Sequence, residues 1–266
     1  MQSKETNRYT KILEAIFKKH YRKGATEIEF ERTEFSQVAD KLGIMLPKNL
    51  GDVLYSFRYR TLLPKLITSK APRGHEWIIR PAGKGKYKLV TVKQASISPA
   101  NALAETKIPD ATPGVIAQYS MNDEQSLLAK LRYNRLVDIF TGLTCYSLQN
   151  HLRTTLRDGS QIETDEIYIG LDKRGAHFVL PVQAKGGKDR IGVVQIEQDF
   201  EMCALKFPRL ICRAIAAQFM EENLIALFEF EQTKEGIKVS SEKHYRLVKP
   251  EELSHEELKS YSLRQS

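Results

Sequence analysis

Cysteine is scarce in this chain, and the three residues that occur, Cys145, Cys203 and Cys212, stand far apart. None belongs to a Cys-X-X-Cys pair, which argues against a zinc site, and so low a number argues against a disulfide framework. The six histidines show no metal-ligand spacing either. The sequence therefore predicts buried free thiols and a reducing compartment.

Long apolar runs are also missing. No stretch approaches the length of a membrane span, and the N-terminal residues contain no apolar signal core. We therefore expect a cytoplasmic protein. Its 266 residues are enough for two modest domains or one large one.

Positive charge is concentrated in the first third of the chain. Residues 1–93 contain 20 Lys and Arg against 9 Asp and Glu, a net charge of +11, whereas residues 94–266 carry −3. An excess of basic residues in one segment favours binding to a polyanion. The split therefore predicts a polyanion-binding module joined to a part with another role.

The basic third shows three helical patterns followed by a hairpin pattern. Apolar spacing predicts a helix over about 7–22, a second after Thr33 as N-cap and ending at Gly43, and a third from near Asn49. Residues 76–80 and 86–92 flank a Pro-Ala-Gly-Lys-Gly turn and predict a β-hairpin with a basic tip. This order resembles a winged helix-turn-helix, so residues 1–93 are expected to form a DNA-binding domain.

The resemblance implies that the third helix enters the major groove and that the hairpin, or wing, neutralises phosphates. The candidate DNA-binding residues are polar or basic side chains of these two elements: Lys48, Asn49, Asp52, Tyr55, Ser56, Arg58, Arg60, Lys84, Lys86 and Lys88. Two alternatives stay open at this point. These side chains can be simple solvated faces, and a winged helix can bind protein.

The remaining boundaries follow from composition. Residues 94–114 contain three Pro, two Ser and one Gly with few large apolar side chains, which predicts a linker. Residues 115–250 form the second predicted domain, and residues 251–266 are a charged C-terminal tail, for which a short helix and a frayed segment are both open.

Two stretches of the second domain predict paired β-strands. Residues 163–169 and 179–185 are mostly apolar or β-branched, and a Lys-Arg-Gly turn lies between them. The two-residue period of a strand places Gln183 and Lys185 on one face, beside the acids at the start of the first strand. Carboxylates that hold a divalent cation, with an ammonium next to them, suit phosphodiester hydrolysis. Pro181 argues against a central position for the second strand.

This arrangement resembles the PD-(D/E)XK nuclease superfamily, in which an acid on one strand is followed by acid-X-Lys on the next. Glutamine replaces the second acid here, a variant similar to that of Mrr-like restriction nucleases. The surrounding pattern predicts a helix at 122–141, a strand at 145–156, a helix at 189–205, and strands at 210–219, 224–232 and 237–248. The resemblance thus implies a restriction-endonuclease-like α/β core with a central mixed sheet.

The resemblance also assigns roles to residues. Asp165 is the expected metal-binding acid and Glu163 a second ligand, while Glu166 points to the other face unless a bulge turns it. Gln183 offers only a neutral carbonyl oxygen to the metal. Lys185 stabilises the transition state, and the principal metal-binding residues are expected to be Asp165, Gln183 and Glu124.

The expected function is therefore that of a type II restriction endonuclease. It would cut both strands of double-stranded DNA with Mg²⁺, which Mn²⁺ can replace, and act as a homodimer. Two alternatives stay open. One is a repair or recombination nuclease that recognises DNA structure, and the other is a non-catalytic winged-helix regulator whose nuclease-like core has decayed.

Overall fold

The computed structural model describes residues 2–48, 50–59, 61–121, 123–157, 159–186 and 189–263, with the backbone alone at 2–7, 51, 52, 55 and 59. The chain is a mixed α/β protein that divides into two compact units. The first comprises Met1–Ile97, Thr154–Ile162 and Gly192–Val194. The second comprises Ser98–Arg153, Glu163–Ile191 and Gln195–Ser266.

The first unit begins with four helices, interrupted by one strand, and continues with further strands. Its elements up to residue 97 are α1 (Gln2–His20), β1 (Glu27–Glu31), α2 (Arg32–Leu42), α3 (Leu50–Tyr59), α4 (Lys65–Thr68), β2 (Glu76–Pro81), β3 (Lys86–Val92) and β4 (Ser96–Ile97). The three helices and the hairpin that the sequence predicts are present, and β1 is an additional strand.

β1 completes a three-stranded antiparallel sheet in the order β1-β3-β2. Its alternation buries Ile28 and Phe30, and the ring of Phe30 stacks on Tyr87 of β3 with the ring centroids 5.7 Å apart. These rings extend a core that α1, α2 and α3 complete with Phe17, Phe35 and other apolar side chains. The sheet therefore gives the helices of this unit a common apolar surface.

Helix α2 has an identifiable capping residue at each end. Thr33 was expected to be the N-cap, but the helix starts two residues earlier than that, with Glu31 as the cap. The Glu31 amide donates to Oε1 of Glu34 at 3.0 Å, so the carboxylate satisfies an amide that the helix leaves unpaired. At the other end Gly43 adopts φ 62°, which glycine permits, and stops the helix as expected.

The rest of the chain contributes nine strands and several helices among the described residues. They are β5 (Glu105–Pro109), α5 (Gly114–Tyr119), α6 (Glu124–Tyr133), α7 (Leu136–Thr141), β6 (Thr144–Thr155), β7 (Gln161–Leu171), β8 (His177–Lys185), β9 (Ile191–Gly192), α8 (Val193–Lys206), β10 (Ile211–Cys212), β11 (Ala214–Glu221), β12 (Leu224–Thr233), β13 (Gly236–Val248), a 3-10 turn (Pro250–Glu252) and α9 (His255–Ser262).

Eight of these strands form one mixed sheet. Its order is β5-β13-β12-β11-β8-β7-β6, with β10 also beside β8. β8 runs parallel to β10 and β11 and antiparallel to β7, and β5 runs parallel to β13. β8 is thus an interior strand.

Pro181 is accommodated inside β8 by a gap in the ladder. On one side it lies opposite Ile167. On the other side the pairing with β10 ends at Val179 and the pairing with β11 starts at Val182. The missing N–H of proline therefore falls between two neighbours, which explains why the expectation of a non-central strand was wrong.

Helices α6 and α8 cover opposite faces of the sheet at β8. Val182 and Ala184 belong to the same buried cluster as Leu127 and Leu128 of α6. The residue between them, Gln183, instead bonds to α8. Because neighbouring residues of a strand face opposite sides, the two helices lie on different faces.

Two further segments differ from the sequence expectations. The segment predicted as one helix over 122–141 is two helices, α6 and α7, separated at Arg135, which has φ 51°. Residues 94–114, expected to be a linker, contribute β5 to the mixed sheet. The C-terminal tail contains a short helix, α9, which is capped by the side chain of Ser254 and agrees with one of the two expectations for this segment.

Two of the three thiols are buried, as the sequence predicts, and the third is not. Cys145 and Cys203 are buried free thiols, and Cys212 is free and partly exposed. Among the helices of the described ranges, none is long and apolar enough to cross a membrane.

Candidate active site

Gln183 lies in the interior of the second unit with its amide held by α8. Its side chain is 2% exposed. The Nε2 group donates to both carboxylate oxygens of Asp199, at 3.2 and 3.0 Å, and to the backbone carbonyl of Glu163 at 3.4 Å. The carbonyl oxygen Oε1 is buried and has no hydrogen-bond partner in the described part of the chain. Gln183 is therefore fixed on its amino side and has an unused oxygen acceptor.

Asp165 sits where the regular alternation of β7 is interrupted. Thr164 donates to Asp199 of α8, whereas Glu166 bonds to Arg132 of α6, although residues two apart on a regular strand share a face. Pairing between β7 and β8 also begins only at Glu166. The change of side at Asp165 lets its Oδ2 accept from the Ala184 amide of β8 at 2.8 Å.

The surroundings of Asp165 oppose its ionisation on balance. Burial raises the pKa of its carboxyl above the usual value, and the nearby Glu124 carboxylate adds to that rise. The ammonium of Lys185 and the hydrogen bond from Ala184 lower the pKa and offset part of it. A carboxylate that is destabilised by burial gains from an additional positive charge, such as a bound cation.

Lys185 ends β8 and meets the first residue of α6. Its side chain is 11% exposed, and Nζ lies 3.3 Å from Oε1 of Glu124. Asp123 caps α6 by accepting from the Ser126 amide at 2.9 Å, which fixes the start of the helix and thus the position of Glu124. The structure therefore brings Asp165, Gln183, Lys185 and Glu124 to one end of β7 and β8.

Asp199 is the residue of this cluster that the sequence reasoning missed. It is 1% exposed and accepts from Thr164 Oγ1 at 2.6 Å in addition to Gln183. Burial raises the pKa of its carboxyl to about 7, in spite of these two hydrogen bonds. A signal was present in the sequence, because Asp199 stands at helical spacing between the buried Ile196 and Met202 and so falls on the apolar face of α8.

Glu163 is held by basic side chains of β6. Its Oε1 lies 3.2 Å from Nδ1 of His151, and Arg153 Nε lies 3.1 Å from Oε2. His151 has φ 49°, an uncommon conformation for a residue with a side chain, and its Nε2 lies 2.9 Å from Nε2 of Gln125. The Glu163 carboxylate is thus engaged at β6, and its backbone carbonyl is the group that contacts Gln183.

Glu166 serves the other face of the sheet. Its side chain is fully buried, and Oε1 accepts from Nε and Nη2 of Arg132, at 3.1 and 2.9 Å, and from Ser147 Oγ at 2.5 Å. The same carboxylate raises the pKa of the Arg132 guanidinium against the effect of burial. Glu166 therefore belongs to a buried ion pair and is separated from Asp165 and Gln183.

A metal ion at this site would have few protein ligands. Within the described ranges no three His, Cys, Asp or Glu side chains are grouped so that they could hold a metal ion. The oxygen atoms that fit a hard cation are the carboxylate of Asp165 and Oε1 of Gln183. Mg²⁺ commonly binds through one or two carboxylates and keeps water or substrate phosphate as its other ligands, so this donor set is compatible with it.

The candidate DNA-binding residues lie in the first unit. Lys84 and Lys86 at the hairpin tip and Lys48 are exposed, and Lys88 pairs with Glu27 at 3.5 Å. Ser56 is hydrogen-bonded to Thr61, and Arg58 is partly buried with contacts of its own. Asn49 and Arg60 lie outside the described residues, as do the side chains of Asp52 and Tyr55.

A groove of about 440 Å³ joins the hairpin tip to the helices of this unit. Arg32 and Thr33 of α2, Leu50 of α3, and Lys84 and Lys86 line it, together with Glu31, Ser36 and Gly85. Three basic side chains therefore surround one depression beside the start of α2 and the start of α3.

Comparison with known proteins finds no matching family model, no matching curated protein and no matching solved structure.

Proposed function

We propose that the chain is a Mg²⁺-dependent endonuclease acting on double-stranded DNA, with a winged helix-turn-helix module and a PD-(D/E)XK-like catalytic core. The observation that carries this proposal is the meeting of Asp165, Gln183, Lys185 and Glu124 at one end of two adjacent strands. An acid, an oxygen acceptor and an ammonium in one cluster are the groups that metal-assisted phosphodiester hydrolysis requires.

The order of elements in the second unit supports this assignment. Helices α6 and α7 precede three consecutive strands, β6, β7 and β8, which are neighbours in the sheet. Helix α8 then leads to β11, which runs parallel to β8. This helix-strand-strand-strand-helix-strand order is similar to the core of the PD-(D/E)XK superfamily, with the acid on its second strand and Gln-X-Lys on its third.

Each side chain has a chemical role in this proposal. The Asp165 carboxylate and Gln183 Oε1 would hold Mg²⁺, which activates water and neutralises charge on the phosphate. Lys185 provides a mostly buried positive charge, which stabilises developing negative charge more strongly than an exposed one. Glu124 orients that ammonium through the contact of 3.3 Å.

The first unit is the proposed DNA-binding module. The order α1, β1, α2, α3, α4, β2, β3 and the three-stranded sheet resemble a winged helix-turn-helix. The exposed Lys84 and Lys86 and the basic groove beside them suit phosphate contacts, and the net charge of +11 over residues 1–93 supplies long-range attraction to DNA.

Restriction of foreign DNA by a cytoplasmic homodimer is the biological role that the resemblance favours, and Gln183 supports the Mrr-like variant. The test is incubation of the full chain with methylated and unmethylated plasmid, with and without Mg²⁺, followed by mapping of the ends. Metal-dependent cleavage at fixed positions on both strands is expected. Cleavage confined to branched or damaged DNA would instead identify a repair or recombination nuclease.

A non-catalytic DNA-binding regulator is the second candidate. The observation that favours it is the neutral Gln183 where an acid is usual, together with the small number of acidic ligands at the site within the described ranges. A regulator would bind duplex DNA as tightly without Mg²⁺ as with it and leave plasmid intact under every metal tested.

A further inference from the structure

The amide of Gln183 can adopt one orientation only in its present surroundings. Its Nε2 faces three acceptors, the two oxygens of Asp199 and the carbonyl of Glu163, at 3.0 to 3.4 Å. A rotated amide would place Oε1 against the same three oxygens, and with Asp199 ionised no hydrogen atom lies between them. Since two oxygen acceptors repel each other at that distance, Asp199 and the Glu163 carbonyl select the observed orientation.

Asp199 is itself held in place. Its Oδ1 receives a hydrogen bond from Thr164 Oγ1 at 2.6 Å, and the residue is 1% exposed. Thr164 is on β7 and Gln183 is on β8, so a single carboxylate of α8 fixes side chains of both strands that flank the site. Both carboxylate oxygens of Asp199 therefore accept hydrogen bonds from side chains of the protein.

The orientation of the amide determines where the carbonyl oxygen Oε1 of Gln183 lies. Oε1 is buried without a hydrogen-bond partner among the described residues, although buried acceptors are nearly always satisfied. The next residue of β8, Ala184, holds Asp165 through its amide. An unused neutral oxygen on the residue next to the Ala184–Asp165 contact is a ligand of the kind that a hard divalent cation binds.

We propose that Asp199 is a positioning residue, which orients the Gln183 amide so that Oε1, together with Asp165, is a ligand for an oxygen-preferring divalent cation. This role rests on the nuclease function proposed above. Asp199 and Gln183 act together in this proposal. The acid that the acid-X-Lys pattern lacks at position 183 is provided by Asp199 of α8, which bonds to the glutamine.

This inference reverses a simple expectation for Gln183→Glu. A glutamate would restore the commoner acid-X-Lys pattern, yet it would place a second carboxylate against Asp199 with no cation between the two. Exchanging both residues, in the double variant Gln183→Glu with Asp199→Asn, keeps one acid and one amide. The amide at position 199 would then donate to the acid at position 183, whose second oxygen is left for the cation.

The experiment uses the full chain in wild-type form and as Asp199→Asn, Gln183→Glu and the double exchange. Mn²⁺ binding without DNA is measured by electron paramagnetic resonance, plasmid cleavage by single-turnover kinetics, and folding by circular dichroism. Asp199→Asn should bind Mn²⁺ about 10- to 100-fold more weakly, as is typical when a group that orients a metal ligand is removed. Gln183→Glu should also bind Mn²⁺ more weakly than the wild type, because its carboxylate is repelled by Asp199. The double exchange should recover most of that affinity, together with most of the cleavage rate.

Glu201→Gln is the matched control, because it removes one carboxylate from the exposed side of the same helix and should leave Mn²⁺ affinity unchanged. Wild-type Mn²⁺ affinity in Asp199→Asn, or a double exchange no better than the folded single variants, would overturn the positioning role while the nuclease function stands. A wild-type chain that neither binds Mn²⁺ nor cuts DNA would overturn the proposed function and this role together.

Discussion

Replacing Arg132 with alanine tests whether Glu166 is a structural acid of the fold. The substitution removes the guanidinium that donates twice to a fully buried carboxylate. Breaking a buried ion pair by deleting one partner costs about 3–5 kcal/mol, because the other charge is left without compensation. The Arg132 side chain is 39% exposed, so water already screens part of the pair. We expect the free energy of unfolding to fall by about 2–3 kcal/mol for this variant.

The measurement is urea unfolding followed by circular dichroism, with thermal unfolding as a second readout. A decrease of that size corresponds to a fall in Tm of roughly 4–12 °C for a unit of this length. Arg174→Ala is the control, because Arg174 is 80% exposed and pairs with Asp172 at 3.1 Å. An exposed pair contributes little to stability, because water and salt screen it. Equal stability of Arg132→Ala and Arg174→Ala would show that Glu166 does not depend on Arg132, and Glu166 would then be open to a metal-binding role.

Three further predictions concern the neighbouring acids and the hairpin. Asp165→Asn should abolish cleavage yet stabilise the fold at pH 7. Burial raises the pKa of Asp165 in the folded chain, so the ionised carboxylate opposes folding at any pH above its unfolded pKa. A lower stability of this variant in urea unfolding at pH 7 would contradict the prediction. Asp199, whose folded pKa is about 7 against 3.8, binds its proton more tightly when folded, so stability should fall as pH rises from about 4 to 7. Asp199→Asn should flatten that pH dependence, and an unchanged slope would contradict the assignment. Replacing Lys84 and Lys86 with alanine should weaken binding to all duplexes alike. In fluorescence anisotropy titrations, the slope of log K against log salt concentration should fall by about 0.9 for each phosphate that is no longer neutralised. Lys70→Ala, which replaces another exposed lysine, should leave that slope unchanged.

The strands that carry the site were predictable because their signals are local. β-branched and apolar residues on either side of a Lys-Arg-Gly turn define β7 and β8, and the structure pairs them as an antiparallel hairpin. The helical spacing before and after them gives α6 and α8 to within a few residues, although the break at Arg135 was missed. That break depends on a single residue with φ 51°, which an apolar pattern does not reveal.

The contacts of the acids were not predictable, since they depend on which elements meet. The sequence made Glu163, Asp165 and Glu166 all candidates for the metal-binding acid. The structure distinguishes them, because the strand changes side at Asp165. That change directs Glu166 to Arg132 and leaves Glu163 with His151 and Arg153.

Asp199 shows the same difference between local and tertiary information. Its place on the apolar face of α8 can be read from the spacing of its neighbours. Its partner cannot, because only the packing of α8 on β8 brings it to Gln183. The sequence thus indicates a buried acid, and the fold gives that acid a role.

The most direct test of the central claim is single-turnover cleavage of plasmid DNA in Mg²⁺ by the wild-type chain, Lys185→Ala and Lys173→Ala. Lys173 is an exposed lysine at the opposite end of the same β-hairpin, so the two variants differ in position and not in chemistry. Loss of a group that stabilises transition-state charge should slow Lys185→Ala by about 10²- to 10³-fold, with DNA binding intact and Lys173→Ala at the wild-type rate. Equal rates for all three proteins would show that the cluster at the end of β7 and β8 does not catalyse cleavage.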